Sequence, residues 1–218
     1  MCSAFGVTYR RRILIQELHM TLARGDDQIE SERLVLRRVV PADLAFFTRI
    51  HAIPAVARYL GHGRPRSQEE SLAWLQSVLR SYEEQSLGQL AVVRKSDGVL
   101  MGRCGLSDLV VESCPASGAI PRAWFQRSDA PADVGVAFER ELGYTFDPEY
   151  WGRGYASEAA RFVFAYACSA LNASRVVSVI HPDNERSLRL AARLGLRRER
   201  RVEVMERALD LYVWPGAA

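Results

Sequence analysis

Apolar positions first recur with a period of two at Leu34 and Leu36, within Glu32-Arg-Leu-Val-Leu-Arg-Arg-Val-Val40. That alternation predicts a strand with one buried face. Pro41 follows, and its fixed φ suits the first turn of a helix over residues 42–50, after which the apolar pattern runs brokenly towards Leu60. Gly61-His-Gly-Arg-Pro-Arg66 reads as a loop. Ser67 and Glu70 have the spacing of a capping box, and predict a helix to about Gln85 that buries Leu72, Leu75, Val78 and Leu79. Two strands, residues 87–94 and 99–109, flank Lys95-Ser-Asp-Gly98, whose Asp-Gly pair signals a hairpin. Residues 110–131 carry Pro115, Gly118, Pro121 and Pro131 without a period, and are expected to form an irregular insertion. Its aromatic pair, Trp124 and Phe125, either packs over a site or anchors the loop.

The C-terminal half is more regular. Residues 133–146 alternate, with Val134, Val136, Phe138, Leu142, Tyr144 and Phe146 on one face, and predict a long strand. A turn at Asp147-Pro-Glu leads into Tyr150-Trp-Gly-Arg-Gly-Tyr155. A helix to about Asn172 follows, with Ala156, Ala159, Ala160, Val163, Phe164, Ala167 and Leu171 on one side. Residues 176–180 are a β-branched strand, residues 184–194 a second helix stopped by Gly195, and residues from Leu196 to Val213 a closing antiparallel pair. This order predicts an α/β domain over residues 31–218, a mixed sheet with helices on both faces. Residues 1–30 lack sustained periodicity and read as a poorly ordered leader, with Met20 as an alternative start and an extra docked strand or helix as the competing reading.

Composition narrows the class. Hydrophobic residues at 48% and charged residues at 25% are ordinary for a soluble globular chain, which excludes disorder of the whole. A net charge of +3 is too small to make nucleic acid the main partner. Arg197-Arg-Glu-Arg-Arg201 alternates with acidic positions and reads as a solvated face. The longest apolar run, residues 162–171, is too short to span a bilayer. Four scattered cysteines, Cys2, Cys104, Cys114 and Cys168, form no C-x-x-C pair and fit a reducing cytoplasm. No His/Cys/Asp grouping has metal spacing, and no Ser-His-Asp arrangement is recognisable.

The chemistry concentrates where the long strand meets its helix. In Trp151-Gly-Arg-Gly-Tyr-Ala156 the chain turns through two glycines into a helix whose first amides have no internal partner. The dipole adds positive potential there, glycines allow close approach, and Arg153 supplies a charged donor, so the turn suits phosphate oxygens. A glycine turn kept only for packing is the bland alternative. A dinucleotide fingerprint would need a third glycine near Ser157 and a later acidic residue, and a P-loop would need Gly-Lys-Ser/Thr; neither is present.

Several motifs in order resemble one superfamily. They are Ser31-Glu-Arg-Leu-Val-Leu-Arg37 with Pro41-Ala-Asp43, then Glu141-Leu-Gly-Tyr144, Tyr150-Trp-Gly-Arg-Gly-Tyr-Ala-Ser-Glu-Ala159, Asn184-Glu-Arg-Ser187 and Leu194-Gly-Leu196. The stretch resembles the GCN5-related N-acetyltransferases (GNAT), most closely their ribosomal-protein alanine acetyltransferase branch. The resemblance implies a mostly antiparallel sheet splayed at a coenzyme cleft between the strand ending near Phe146 and the strand 176–180. It implies acetyl-CoA as cosubstrate and a primary amine as acceptor, either a small molecule or a protein N-terminus, and it leaves room for a homodimer. The backbone of Thr145, Phe146 and Asp147 would pair with the pantetheine arm, and amides from Gly152, Arg153, Gly154, Tyr155, Ala156 and Ser157 would hold the pyrophosphate. Trp151 stands where the wider superfamily has Gln or Arg, a departure usual in this branch.

Glu141, two residues before Gly143, is the candidate base, with a solvated or salt-bridged glutamate as the alternative and Glu139 as a substitute. Ser187 is the candidate donor to the departing sulfur, and Asn184 either contacts the pantetheine or simply caps its helix. Tyr212 is too distant in sequence to assign. His51 and His62 fall in the acceptor region but read as surface histidines, and His181 as a cap on the strand end. The helices over residues 41–85 and the insertion are expected to line the acceptor site. A non-catalytic module that binds acetyl-CoA is the rival reading.

Overall fold

The computed structural model describes residues 28–85, 88–214 and 216; most of the expected leader, residues 1–27, lies outside them. Its last three residues, Gln28–Glu30, are a strand, β1, antiparallel to β2 (Leu34–Arg38), so regular structure begins earlier than the hydrophobic pattern indicates. β2 buries Leu34 and Leu36 fully, as their alternation requires. Pro41–Asp43 form a 3₁₀ turn that runs into helix α1 (Leu44–His51), and α2 (Pro54–Ala57) is a single turn.

Helix α3 (Gln68–Gln85) starts on the expected capping box. The Ser67 N–H donates to Glu70 Oε2 at 2.8 Å, and the Glu70 N–H donates to Ser67 Oγ at 3.2 Å. Leu75 and Val78 are buried with Tyr82, whereas Leu72, expected inside, is 40% exposed. β3 (Gln89–Arg94) and β4 (Leu100–Glu112) form the hairpin around Asp97-Gly98, and Gly98 adopts φ 71°.

The segment 110–131 is more ordered than its composition suggests. β4 continues through Glu112, and Arg122–Trp124 form β5, antiparallel to β4 and parallel to β8 (Arg197–Val204). β6 (Val136–Phe146) pairs along its whole length with β4. Then come α4 (Tyr155–Ser169), β7 (Val176–Ile180), α5 (Glu185–Arg193) and β9 (Arg207–Trp214), which pairs with β7 and β8. The strand order is β1-β2-β3-β4-β5-β8-β9-β7-β6 with β6 returning to β4, so the C-terminal strands close on themselves. Leu109, Val111, Ala123, Val177, Val202, Val204, Leu209, Leu211 and Val213 fill that closed part. Phe125 packs against this cluster, which makes it an anchor of the segment and not a lid.

Two further cores position the site. α4 lays Ala159, Ala160 and Val163 on the sheet face carrying Cys104, Leu106, Leu142 and Phe146. On the opposite face, α1 and α3 pack Phe47, Ile50, Leu75 and Val78 around Ala91 of β3. Gly195 at φ 81° ends α5 with the Leu196 N–H donating back to Ala191 O at 3.0 Å, the left-handed stop expected there. No helix among the described residues is long and apolar enough to cross a membrane.

Candidate active site

β6 and β7 are joined by one parallel pairing, Glu141 with Val177. Beyond it, β6 continues to Phe146 paired only with β4, and β7 continues to Ile180 paired with β9. A gap therefore opens between two adjacent parallel strands. Ser178 Oγ, donating to Leu142 O at 2.7 Å, ties its narrow end.

Glu141 stands at that narrow end and is 6% exposed, so it is not a solvated glutamate, and it makes no ion pair within 4.0 Å among the described residues. Its carboxylate accepts from Ser107 Oγ at 3.1 Å and from the Val179 N–H. Burial raises its pKa to about 7, against the opposing pull of the Arg103 charge and these hydrogen bonds. Gly143 makes room for it: a Cβ there would lie 2.9 Å from Glu141 Oε2 and 3.3 Å from Gln89 Nε2. Glu139, the substitute candidate, is held by Arg175 Nε at 2.9 Å on both oxygens.

Register explains the neighbours. Arg103, Gly105 and Ser107 alternate onto one face of β4, opposite Thr145, Gly143 and Glu141 of β6, with Gln89 of β3 beside Gly105. Arg103 Nη1 donates to Gln89 Oε1 at 2.6 Å, Gln89 Nε2 to Ser107 Oγ at 3.3 Å, and Ser107 onward to Glu141. This line of side chains escapes one-dimensional reading because it is drawn from three strands. Its one local trace is the polar alternation of Arg103 and Ser107 around Gly105 within an apolar strand.

The glycine turn lies at the other end of the gap. Gly152 (φ 77°) and Gly154 (φ 84°) are left-handed and exposed, and Gly154 caps α4 without any side-chain hydrogen bond. The amides of Tyr155, Ala156 and Ser157 therefore open the helix uncapped, and the first intrahelical bond runs from the Glu158 N–H to Gly154 O at 3.0 Å. A Cβ on Gly152 would meet nothing within 4 Å, so the turn faces open space. Arg33, in the bend just before β2, clamps it, donating through Nη1 to Arg153 O at 3.2 Å and pairing with Glu158 at 2.7 Å. Arg193 of α5 reaches Ser157 Oγ at 3.3 Å.

Of the three residues implied for the pantetheine, Asp147, just past the end of β6, spends its N–H on Met101 O (2.9 Å) and its carboxylate on Arg49 (2.6 Å). Phe146 O accepts the Trp151 indole N–H at 2.8 Å. Alternation then turns the Phe146 N–H away from β4 and into the gap. Thr145 is buried, and its hydroxyl has no partner among the described residues. Asn184 caps α5, its Oδ1 accepting from the Ser187 N–H at 3.3 Å. Ser187, half-buried one turn in, is hydrogen-bonded to Tyr144, whose phenol is pushed well up by burial. Tyr144 is a further polar group of this end of the cleft, visible in the sequence only as an apolar-face residue.

His51 departs from its expected place. It is fully buried, stacked edge-on to Trp74 at 4.9 Å, with neither ring nitrogen partnered among the described residues. Burial first, then the Arg103 and Arg66 charges, lower its pKa to about 2. His62 is exposed, and His181 Nδ1 accepts from the Asp183 N–H at 3.1 Å beyond the end of β7. No group of three or more His, Cys, Asp or Glu side chains among the described residues could hold a metal ion.

The family model of the acetyltransferase (GNAT) domain matches residues 33–197, and the chain belongs to that family. The protein YoaA of Bacillus subtilis (strain 168), described as an uncharacterized N-acetyltransferase, is 28% identical over 171 residues, 78% of this chain and 83% of its own. An acetyltransferase structure from Agrobacterium tumefaciens str. C58 aligns with a TM-score of 0.64 at 24% identity, covering 86% of this chain and 93% of that one. The structure of RimL, a ribosomal L7/L12 α-N-protein acetyltransferase in complex with coenzyme A, aligns at 0.61 and 15% identity, covering 85% and 96%. The chain is thus an acetyltransferase of GNAT fold.

Proposed function

We propose that this enzyme moves the acetyl group of acetyl-CoA directly onto a primary amine, with Glu141 taking the amine's proton. The observation that carries the reading is a buried carboxylate, its pKa raised to about 7, at the narrow end of the gap between β6 and β7. An amine must be neutral to attack a thioester, and an α-amine loses its proton near ~8 whereas a lysine amine does so near ~10. A base poised near neutrality suits that transfer. The new C–N bond forms as the C–S bond breaks, the amine's proton passes to Glu141, and the sulfur leaves as a thiol once protonated. Ser187 is the donor assigned to that sulfur, backed by the still-protonated Tyr144.

The uncapped amides from Tyr155 to Ser157, with Gly152, Arg153 and Gly154, suit a pyrophosphate, and the Phe146 N–H is the β6 backbone group best turned towards a pantetheine. Acetyl-CoA supplies the activated acyl group, while these residues orient it. A known relative of this fold, RimL, is described in complex with coenzyme A, which supports the same ligand here. The test is direct: incubation with acetyl-CoA and a panel of amines should release thiol in step with acetylated amine. Tight coenzyme binding without release for any amine would leave only a coenzyme-binding module.

A further inference from the structure

Near Glu141, on the side covered by α1 and α3, lies the Arg103 guanidinium, with that of Arg66 close enough for the two charges to act on one another, and neither is ion-paired among the described residues. The Arg103 side chain makes one hydrogen bond among the described residues, to the neutral Gln89, and its Cζ lies 5.3 Å from the centre of the Trp74 ring. Its Nε is sealed from solvent and has no partner among the described residues. Arg66 enters from the loop before α3, its N–H donating to His51 O at 3.2 Å, and its Nη1 is likewise sealed and unpartnered. Neither arginine has a carboxylate within ion-pair distance among the described residues. Glu70, whose charge reaches Arg66, is already held by Arg64 at 2.6 and 3.0 Å. The two cations also oppose one another: burial and then Arg66 push the Arg103 guanidinium down to about 10, which leaves it charged at neutral pH. The groups around them donate or stay neutral. His51 remains uncharged, and Ser71 Oγ and the two His51 nitrogens are buried without partners among the described residues.

Buried cations are ordinarily paired, because desolvation without a counter-charge is costly. Here the nearby carboxylates among the described residues are already engaged, Glu70 by Arg64 and Glu141 by Ser107, the latter joined to Arg103 only through Gln89. What the cluster lacks is an anion in direct contact with either guanidinium. We propose that the acceptor site selects an amine that also bears a carboxylate, held by Arg66 and Arg103 while its nitrogen is presented to Glu141. This deepens the acetyl-transfer reading above and rests on it. It disfavours polycationic acceptors, which would add charge to a site already carrying two cations. The same chemistry occurs in a free amino acid and in a peptide with an acidic residue next to its N-terminus.

The experiment uses the full chain and matched probes: L-glutamate, L-glutamine and their α-amides, the peptide amides Ser-Asp-Ala and Ser-Asn-Ala, and spermidine. Thiol release gives kcat/KM, and calorimetry on the coenzyme-loaded protein gives affinity without turnover. Carboxylate-bearing probes are expected to exceed their neutral partners by about 10- to 100-fold, the range for charged hydrogen bonds. A preference within the free amino acids points to a small-molecule acceptor, and one within the peptides to a protein N-terminus. Arg66→Gln and Arg103→Gln should raise KM for those probes by a similar factor and erase the preference, while acetyl-CoA affinity stays within twofold. Arg66→Lys should restore part of it. Turnover with no preference, or with spermidine preferred, overturns the inference and leaves acetyl transfer standing. Selective binding of carboxylates without turnover does the reverse. Absence of both binding and turnover for every carboxylate probe overturns the inference.

Discussion

Glu141 and His51 are both buried, and their burial acts on stability in opposite directions. Glu141 ionises near 4.5 when unfolded and near 7 when folded, so the folded state holds the extra proton and stability falls as pH rises from 4.5 to 7. His51 titrates near 6.5 when unfolded and near 2 when folded, so the unfolded state holds the extra proton and stability falls as pH drops below 6.5. Each slope approaches about 1.4 kcal/mol per pH unit, and between pH 4.5 and 6.5 they offset one another. Glu141→Gln should therefore raise Tm above pH 7 by several degrees relative to wild type and change it little at pH 4.5. His51→Phe should raise Tm increasingly as pH falls from 6.5 to 5. Melting curves across this range check both; parallel curves for all three proteins would contradict the burial of these groups. The acid at position 141 is legible in the sequence beside Gly143. Its burial is not, because Ser107, Gln89 and Arg103 come from other strands and meet it only through register. His51 is misread for the same reason, since Trp74, Arg66 and Arg103 all lie well away in sequence.

At the scale of elements, the turn from β6 into α4 is the part most fully readable in one dimension. Its signals are local: an alternating strand, two glycines that must take positive φ, and an apolar helical face. What local reading misses is the clamp, in which Arg33, just before β2, holds Arg153 O and Glu158, more than a hundred residues away in sequence. Gly154→Asp would set a carboxylate beside the uncapped amides and force an L side chain into φ 84°. Acetyl-CoA affinity should fall by at least about 100-fold by calorimetry, since both repulsion and strain oppose binding. Unchanged affinity would remove this turn from the coenzyme site.

Across the whole molecule, the order of strands and helices apart from β1 and β5, and the sheet covered on both faces, follow from hydrophobic period and local capping and turn signals. Closure of the C-terminal strands does not. It depends on a three-residue strand, β5, bridging β4 and β8 from a Pro- and Gly-rich segment with too few residues to show a period. Ala123, 3% exposed inside that closure, tests it. Ala123→Asp would bury an unpaired carboxylate and should lower Tm by roughly 10 °C, whereas Ile120→Asp, at a position 43% exposed, should change Tm little. Equal melting temperatures for the two variants would argue against β5 as part of the core. The same segment also touches α3, where Gln126 Nε2 donates to Ser77 Oγ at 2.7 Å.

Acetyl transfer by the proposed route requires one proton to leave the amine for Glu141, and the pH dependence of kcat/KM in the wild type and in Glu141→Gln tests that most directly. The wild-type rate should climb with pH through an inflection near 7, where the carboxyl ionises. Glu141→Gln should be slower by about 100-fold or more at pH 8 and should lack that inflection. A glutamine variant with the wild-type rate and the same inflection would contradict the role assigned to this carboxylate.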